Sequence, residues 1–121
     1  MSDEDIKKIY KSKLIFGKYY LKHLIAKGSF GQVYMGTNIF EKKNYALKFE
    51  KIKNNTSFLK EETYILLLIK GPGIPSVISF GVSCKHHVLI EELLGESIMS
   101  IWQKKKKNLI LKILACSLFK L

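Results

Sequence analysis

Gly28, Gly31 and Lys48 are the residues of this sequence whose types and spacing could handle a phosphate group. Glycine has no Cβ, so its backbone can come close to a phosphate and turn N–H groups toward the oxygens, while a lysine brings the opposite charge. A Gly-x-x-Gly is weak evidence alone, because it arises by chance and also in dinucleotide folds. In those folds the glycines lie between a strand and a helix, with an acidic residue about twenty positions on for the ribose. Here a strand-like segment follows the glycines, and the residue twenty positions after Gly28 is Lys48. That arrangement fits a flap covering the phosphates of ATP. His23, His86 and His87 have neither metal spacing nor a nearby nucleophile and are expected at the surface. Cys84 and Cys116 belong to no Cys/His ligand pattern, so neither a zinc site nor a disulfide framework is expected.

The flap needs strands on both sides. From Tyr19 to Ile25 aromatic, β-branched and leucine residues interleave with polar ones, and Ala26-Lys27-Gly28-Ser29 forms a flexible turn. After Gly31, Val33 and Met35 alternate with Gln32 and Tyr34 until Gly36-Thr37-Asn38, which predicts a second strand folded back on the first. A third strand is expected at Tyr45–Phe49 after the polar turn Glu41-Lys42-Lys43-Asn44. Ser57 can cap a helix with apolar positions Phe58, Ile65, Leu68 and Ile69, with Glu61 and Glu62 between them, and Gly71-Pro72-Gly73 ends it. Two further strands follow at Val77–Val82 and Val88–Glu92, joined by a polar loop from Ser83 to His87. A helix from about Ser97 to Gln103, the run Lys104–Lys107 and an apolar helical tail complete the chain.

With 121 residues the chain is the size of one domain, about half or less of a two-lobed enzyme. Its 47% apolar share is that of a folded protein, and an ordered body with soft ends is expected. The formal charge of +11 raises the possibility of a nucleic-acid or acidic-lipid partner. Every basic residue is Lys and none is Arg, however, so the planar fork that reads guanine edges is missing, and specific nucleic-acid binding is not expected. The acidic, polar start contains no secretory signal, and the apolar run Leu109–Leu121 is too short to span a bilayer and is interrupted by Lys112 and Lys120. A cytoplasmic or nuclear setting and no membrane partner are the expectation.

Taken together, Ile25-Ala-Lys-Gly-Ser-Phe-Gly-Gln-Val33 resembles a protein-kinase glycine loop and Tyr45-Ala-Leu-Lys48 resembles the third-strand lysine motif. Gly36-Thr-Asn-Ile, Leu47-Lys-Phe-Glu50, Gly73-Ile-Pro75 and Glu92-Leu-Leu-Gly95 are similar to the casein kinase I family of serine/threonine kinases in order and spacing, from about Tyr19 to Ile98. The resemblance implies an α+β amino-terminal lobe, a five-stranded antiparallel sheet with one packed helix, followed by a helical C-terminal tail. Residues 1–17 would be an extension, 18–96 the lobe, and 97–121 the post-hinge helix, lysine run and tail.

The resemblance also implies ATP as ligand, with Gly28, Ser29, Phe30 and Gly31 over the phosphates and Lys48 at the α- and β-phosphates. Glu61 would be the carboxylate partner of Lys48, with Glu62 the alternative if the helix register differs by one. Ile25, Val33 and Ala46 would form the apolar ceiling of the adenine slot, and Glu92 and Leu94 would present hinge groups to the adenine edge.

Two residues depart from the family pattern. Ala26 replaces its first glycine, and Glu91 stands where an apolar gatekeeper precedes the hinge. Asp occurs only at Asp3 and Asp5, so a catalytic-loop Asp and the Asp of an Asp-Phe-Gly magnesium site are absent, and no catalytic or metal-binding residue is assigned. Phosphoryl transfer by this chain alone is therefore not expected. The family likeness fades at Lys104–Lys107; a slipped frame in an adenine run, giving an unrelated ending, is one expectation, and a shortened gene model or a natural truncation is the other. The rival reading is a non-catalytic interaction module that meets a protein partner through the lobe surface or the tail.

Overall fold

Period-two alternation sends the side chains of each central strand to two different cores, and this sets the architecture. The computed structural model describes residues 3–28, 31–53, 57–69, 71, 74–95, 98, 101–102, 105, 108–109 and 112. Its elements are α1 (Asp3–Ile9), β1 (Tyr19–Gly28), β2 (Gly31–Asn38), β3 (Lys43–Lys51), α2 (Phe58–Leu68), β4 (Val77–Ser83) and β5 (His86–Glu92). The five strands form one sheet in the order β1-β2-β3-β5-β4, with every neighbouring pair antiparallel. This is the expected five-stranded antiparallel sheet with one packed helix.

On one face of the sheet, Tyr34, Tyr45, Leu47, Phe49, Val88 and Ile90 form the larger core. Phe49 lies at its centre, with the rings of Tyr10, Tyr34 and His86 around it at centroid distances of 5.5, 5.7 and 6.1 Å. On the other face Val33, Ala46 and Leu89 pack toward α2 and the segment after β5. Register shifts in β1 between Leu21 and Ala26 break the strict alternation, so Leu24 joins the first core while Ile25 and Ala26 both reach the second.

The beginning of the chain differs from the soft end expected of it. Residues Asp3–Ile9 form a helix with Lys7 and Lys8 in its last turn, a charge placement that the helix dipole favours. Ile6, Tyr10 and Ile15 are buried in the larger core. The Tyr10 hydroxyl shares a 2.6 Å hydrogen bond with Ser83 Oγ, and burial pushes its phenol up to about 12. Residues 3–15 thus close the back of the sheet instead of trailing from it.

Two polar residues fix the turns. Asn38 Oδ1 accepts from the amides of Phe40 and Glu41 at 2.9 and 3.0 Å, which closes the β2–β3 connection. At α2, Ser57 Oγ accepts from the Lys60 amide at 3.0 Å and caps the helix as expected. The β4–β5 turn is shorter than the expected loop. Cys84 and Lys85 make it with positive φ, and His86 and His87 already belong to β5. His86 is consequently buried rather than at the surface, its Nδ1 2.8 Å from the Cys84 carbonyl oxygen. His23 is exposed.

Beyond β5, Ile98, Ile101, Trp102, Lys105, Asn108, Leu109 and Lys112 are helical; the rest of the expected post-hinge helix, lysine run and tail lies outside the described residues. Among the described residues no helix is long and apolar enough to cross a membrane.

Candidate functional site

Lys48 lies near the middle of β3, between Val33 of β2 and Leu89 of β5, on the face that carries the smaller core. A lysine there is almost out of water and needs a carboxylate. Glu62 provides it. Its Oε1 lies 3.0 Å from Lys48 Nζ, with the two side chains 0% and 11% exposed respectively. Glu61, the partner implied by the resemblance, is exposed. The register therefore takes the alternative, one residue on, because the buried stripe of α2 runs through Leu59, Glu62, Thr63, Ile65 and Leu66. Phe58 and Leu68, expected on the apolar face, are half-buried and exposed.

Glu50 holds that helix in register, a role the sequence reading did not assign. Two residues beyond Lys48 on the same face of β3, its carboxylate accepts from Ser57 Oγ at 2.9 Å and from the Leu59 amide at 2.8 Å. An anionic acceptor at the first turn satisfies an otherwise unmet amide and suits the dipole. One strand thus supplies both the cation, Lys48, and the tether that brings its counter-ion, Glu62, into place. The available signal was Glu50 at two-residue spacing from Lys48, ahead of the capping Ser57.

Gly28 and Gly31 face each other at the end of the β1–β2 ladder, and Ser29 and Phe30 lie outside the described residues. The two glycines are not equivalent. A Cβ on Gly28 would meet nothing within 4 Å, so this backbone borders open space where a ligand can approach. A Cβ on Gly31 would collide with the backbone carbonyl of Phe49. Gly31→Ala is accordingly expected to lower stability by about 1–3 kcal/mol through overpacking, with Gly28→Ala within about 0.5 kcal/mol of the parent, as read by urea unfolding of each variant.

Val33 and Ala46 make a small apolar surface extended by Ile25, Ala26, Leu93, Leu94 and Trp102. Of the two hinge candidates, Leu94 packs on this surface, while Glu92 is exposed and its amide donates to the Ser76 carbonyl at 2.8 Å. Glu91, paired in register with Ala46, is 0% exposed, so the carboxylate at the gatekeeper position is fully buried. The arrangement joins a buried ion pair, open glycine backbone and an apolar surface along one side of a sheet.

No family model matches the chain. It is 34% identical over 92 residues to casein kinase I homolog 3 of Schizosaccharomyces pombe, a match that covers 75% of this chain and 21% of that protein. Among solved structures, a crystallographic kinase domain matches with a TM-score of 0.62 at 30% identity, over 70% of this chain and 27% of the other. The autoinhibited serine kinase domain of the giant muscle protein titin matches with a TM-score of 0.58 at 29% identity, over 68% and 26%. The sheet and its packed helix are those of a protein-kinase amino-terminal lobe. Within that class the sequence places the lobe with the casein kinase I family. The chain spans about a fifth of the length of the curated relative it matches.

Proposed function

We propose that this lobe binds ATP as the nucleotide-holding part of a casein kinase I-type serine/threonine kinase. The buried Lys48–Glu62 pair carries the reading, because it fixes a cation beside the glycine turn at the cost of burying two charges that the fold alone does not require. The residues fit the ligand: open backbone at Gly28 and the Lys48 charge for the phosphates, and Ile25, Val33 and Ala46 for one face of the base. Glu92 and Leu94, with Ser29 and Phe30 between the two glycines in the sequence, would complete the contacts. ATP supplies the transferable phosphoryl group; Lys48 orients its phosphates and offsets their charge. The catalytic-loop Asp of the family has no counterpart in the given sequence, whose only aspartates, Asp3 and Asp5, belong to α1. We infer that it does not transfer phosphate by itself.

A thermal-shift titration with Mg-ATP tests the reading. The midpoint should rise with concentration in the parent chain and stay flat in Lys48→Met/Glu62→Leu, which removes both charges together and spares the fold an orphaned ion. A cooperative melt of the parent with no response to ATP would overturn it. That result would favour the second reading, a protein-interaction module, which rests on Tyr64, Leu67 and Leu68, exposed side by side on the outer face of α2 at 68%, 52% and 71%.

A further inference from the structure

Trp102 follows Leu94 by eight residues in the sequence, and its side chain packs against Val33 and Ala46, the surface assigned to one face of the base. The same indole also touches the cluster of Leu59, Leu66 and Leu89, so it bridges the ceiling of the slot and the foot of α2. We propose that the Trp102 indole occupies the place of the base, so that a purine, or any planar heteroaromatic ligand of this slot, binds only by displacing it. This rests on the nucleotide-binding reading above and adds a residue that controls entry to the site.

The chemistry of the ring supports a plug that can be removed. A flat aromatic nine-membered bicycle has nearly the outline of a purine and is held on an aliphatic ceiling by the same dispersion and desolvation. It lacks what a purine brings, acceptors and donors along the edge facing the hinge. Its one polar atom, Nε1, is buried and has no hydrogen-bond partner among the described residues. Buried indole N–H groups usually find an acceptor, so this ring is held by packing and forgoes a hydrogen bond it would regain in water. A ligand that packs equally well and satisfies its edge therefore has the advantage. The plug sets a threshold for binding without abolishing it.

Trp102 is the chain's single tryptophan, so its emission reports on this one contact. Titrating the full chain with ATP while recording intrinsic fluorescence and acrylamide quenching should give a red shift and greater quenching that saturate together with binding measured by calorimetry. Trp102→Ala should lower the Kd for ATP by about tenfold, the factor expected when the open slot is about a tenth of the population. If that variant fails to fold, Trp102→Leu keeps an apolar contact while removing the planar ring, and should also bind more tightly. Saturable ATP binding with unchanged emission, or equal affinity in the parent and variants, overturns the plug and leaves the nucleotide-binding reading intact. Absence of binding in the parent and in both variants overturns both.

Discussion

Glu62→Ala should lower the stability of the chain by about 3–5 kcal/mol, whereas Glu61→Ala, one residue earlier, should change it by no more than about 0.5 kcal/mol. The difference follows from where the two carboxylates sit. Glu62 is buried against Lys48 at 3.0 Å, so its loss strands an ammonium group that is only 11% exposed. Glu61 is exposed, and its loss strands nothing. At the entropy typical of a domain this size, the Glu62 variant should melt at least about 12 °C below the parent. A charge-free pair separates the penalty of stranding an ion from the worth of the pair. Lys48→Met/Glu62→Leu should recover most of the loss, because removing both ions also removes the desolvation each suffers. Equal melting of the Glu61 and Glu62 variants would mean that the helix does not sit in the register described.

That register marks the limit of what could be read from the residues. The strands were legible because tyrosine, valine and leucine alternate with polar residues between clear turn residues, and the observed strands contain each expected core segment with a few residues added at the ends. The cap at Ser57 was legible for the same local reason. The buried stripe of α2 was not. With Phe58, Leu59, Ile65, Leu66, Leu67, Leu68 and Ile69 in twelve residues, apolar side chains surround the helix, and periodicity cannot say which of them face the sheet. The choice is made by Glu50, a tertiary contact that ties the first turn to β3 and so rotates Glu62 inward.

His86 was misread for a related reason. Polarity marked Ser83–His87 as loop, whereas Cys84 and Lys85 alone make the turn, both at positive φ, and leave His86 to pack edge-on against Phe49. Trp102 could not have been placed by pattern at all, since its contacts join the two ends of the folded lobe. That Lys48, Val33 and Ala46 share one face of the sheet was legible because strand alternation fixes it, whereas Ile25 reaches that face only through the break of alternation in β1.

Ile6→Ala should lower stability by about 2–5 kcal/mol and Tyr10→Ala by about 3–5 kcal/mol, and removal of residues 1–17 should abolish cooperative folding. An extension attached loosely to the lobe would show none of these effects. Ile6, Tyr10 and Ile15 are instead as deeply buried as the strand residues they touch, and Tyr10 packs tilted against Phe49 at 5.5 Å. A domain of this size holds only about 5–15 kcal/mol in reserve, so losing all three side chains together with the backbone that carries them exceeds what it can spare. Denaturant unfolding of the two point variants, and circular dichroism of the shortened chain, would check it. A shortened chain that still melts cooperatively would mean the back of the sheet can close without α1.

Tyr10→Phe isolates one part of the effect. It retains the ring against Phe49 and removes the hydroxyl, with its 2.6 Å hydrogen bond to Ser83 and its contact to Cys84, so it should cost about 0.5–1.5 kcal/mol, less than the cost of removing the ring. The ranking Tyr10→Ala well below Tyr10→Phe would show that the segment acts by filling the core, with its polar clasp to the β4–β5 turn a smaller contribution. The consequence reaches the site through Phe49, because the residue that Tyr10 packs against on one face of β3 is the chain neighbour of Lys48 on the other.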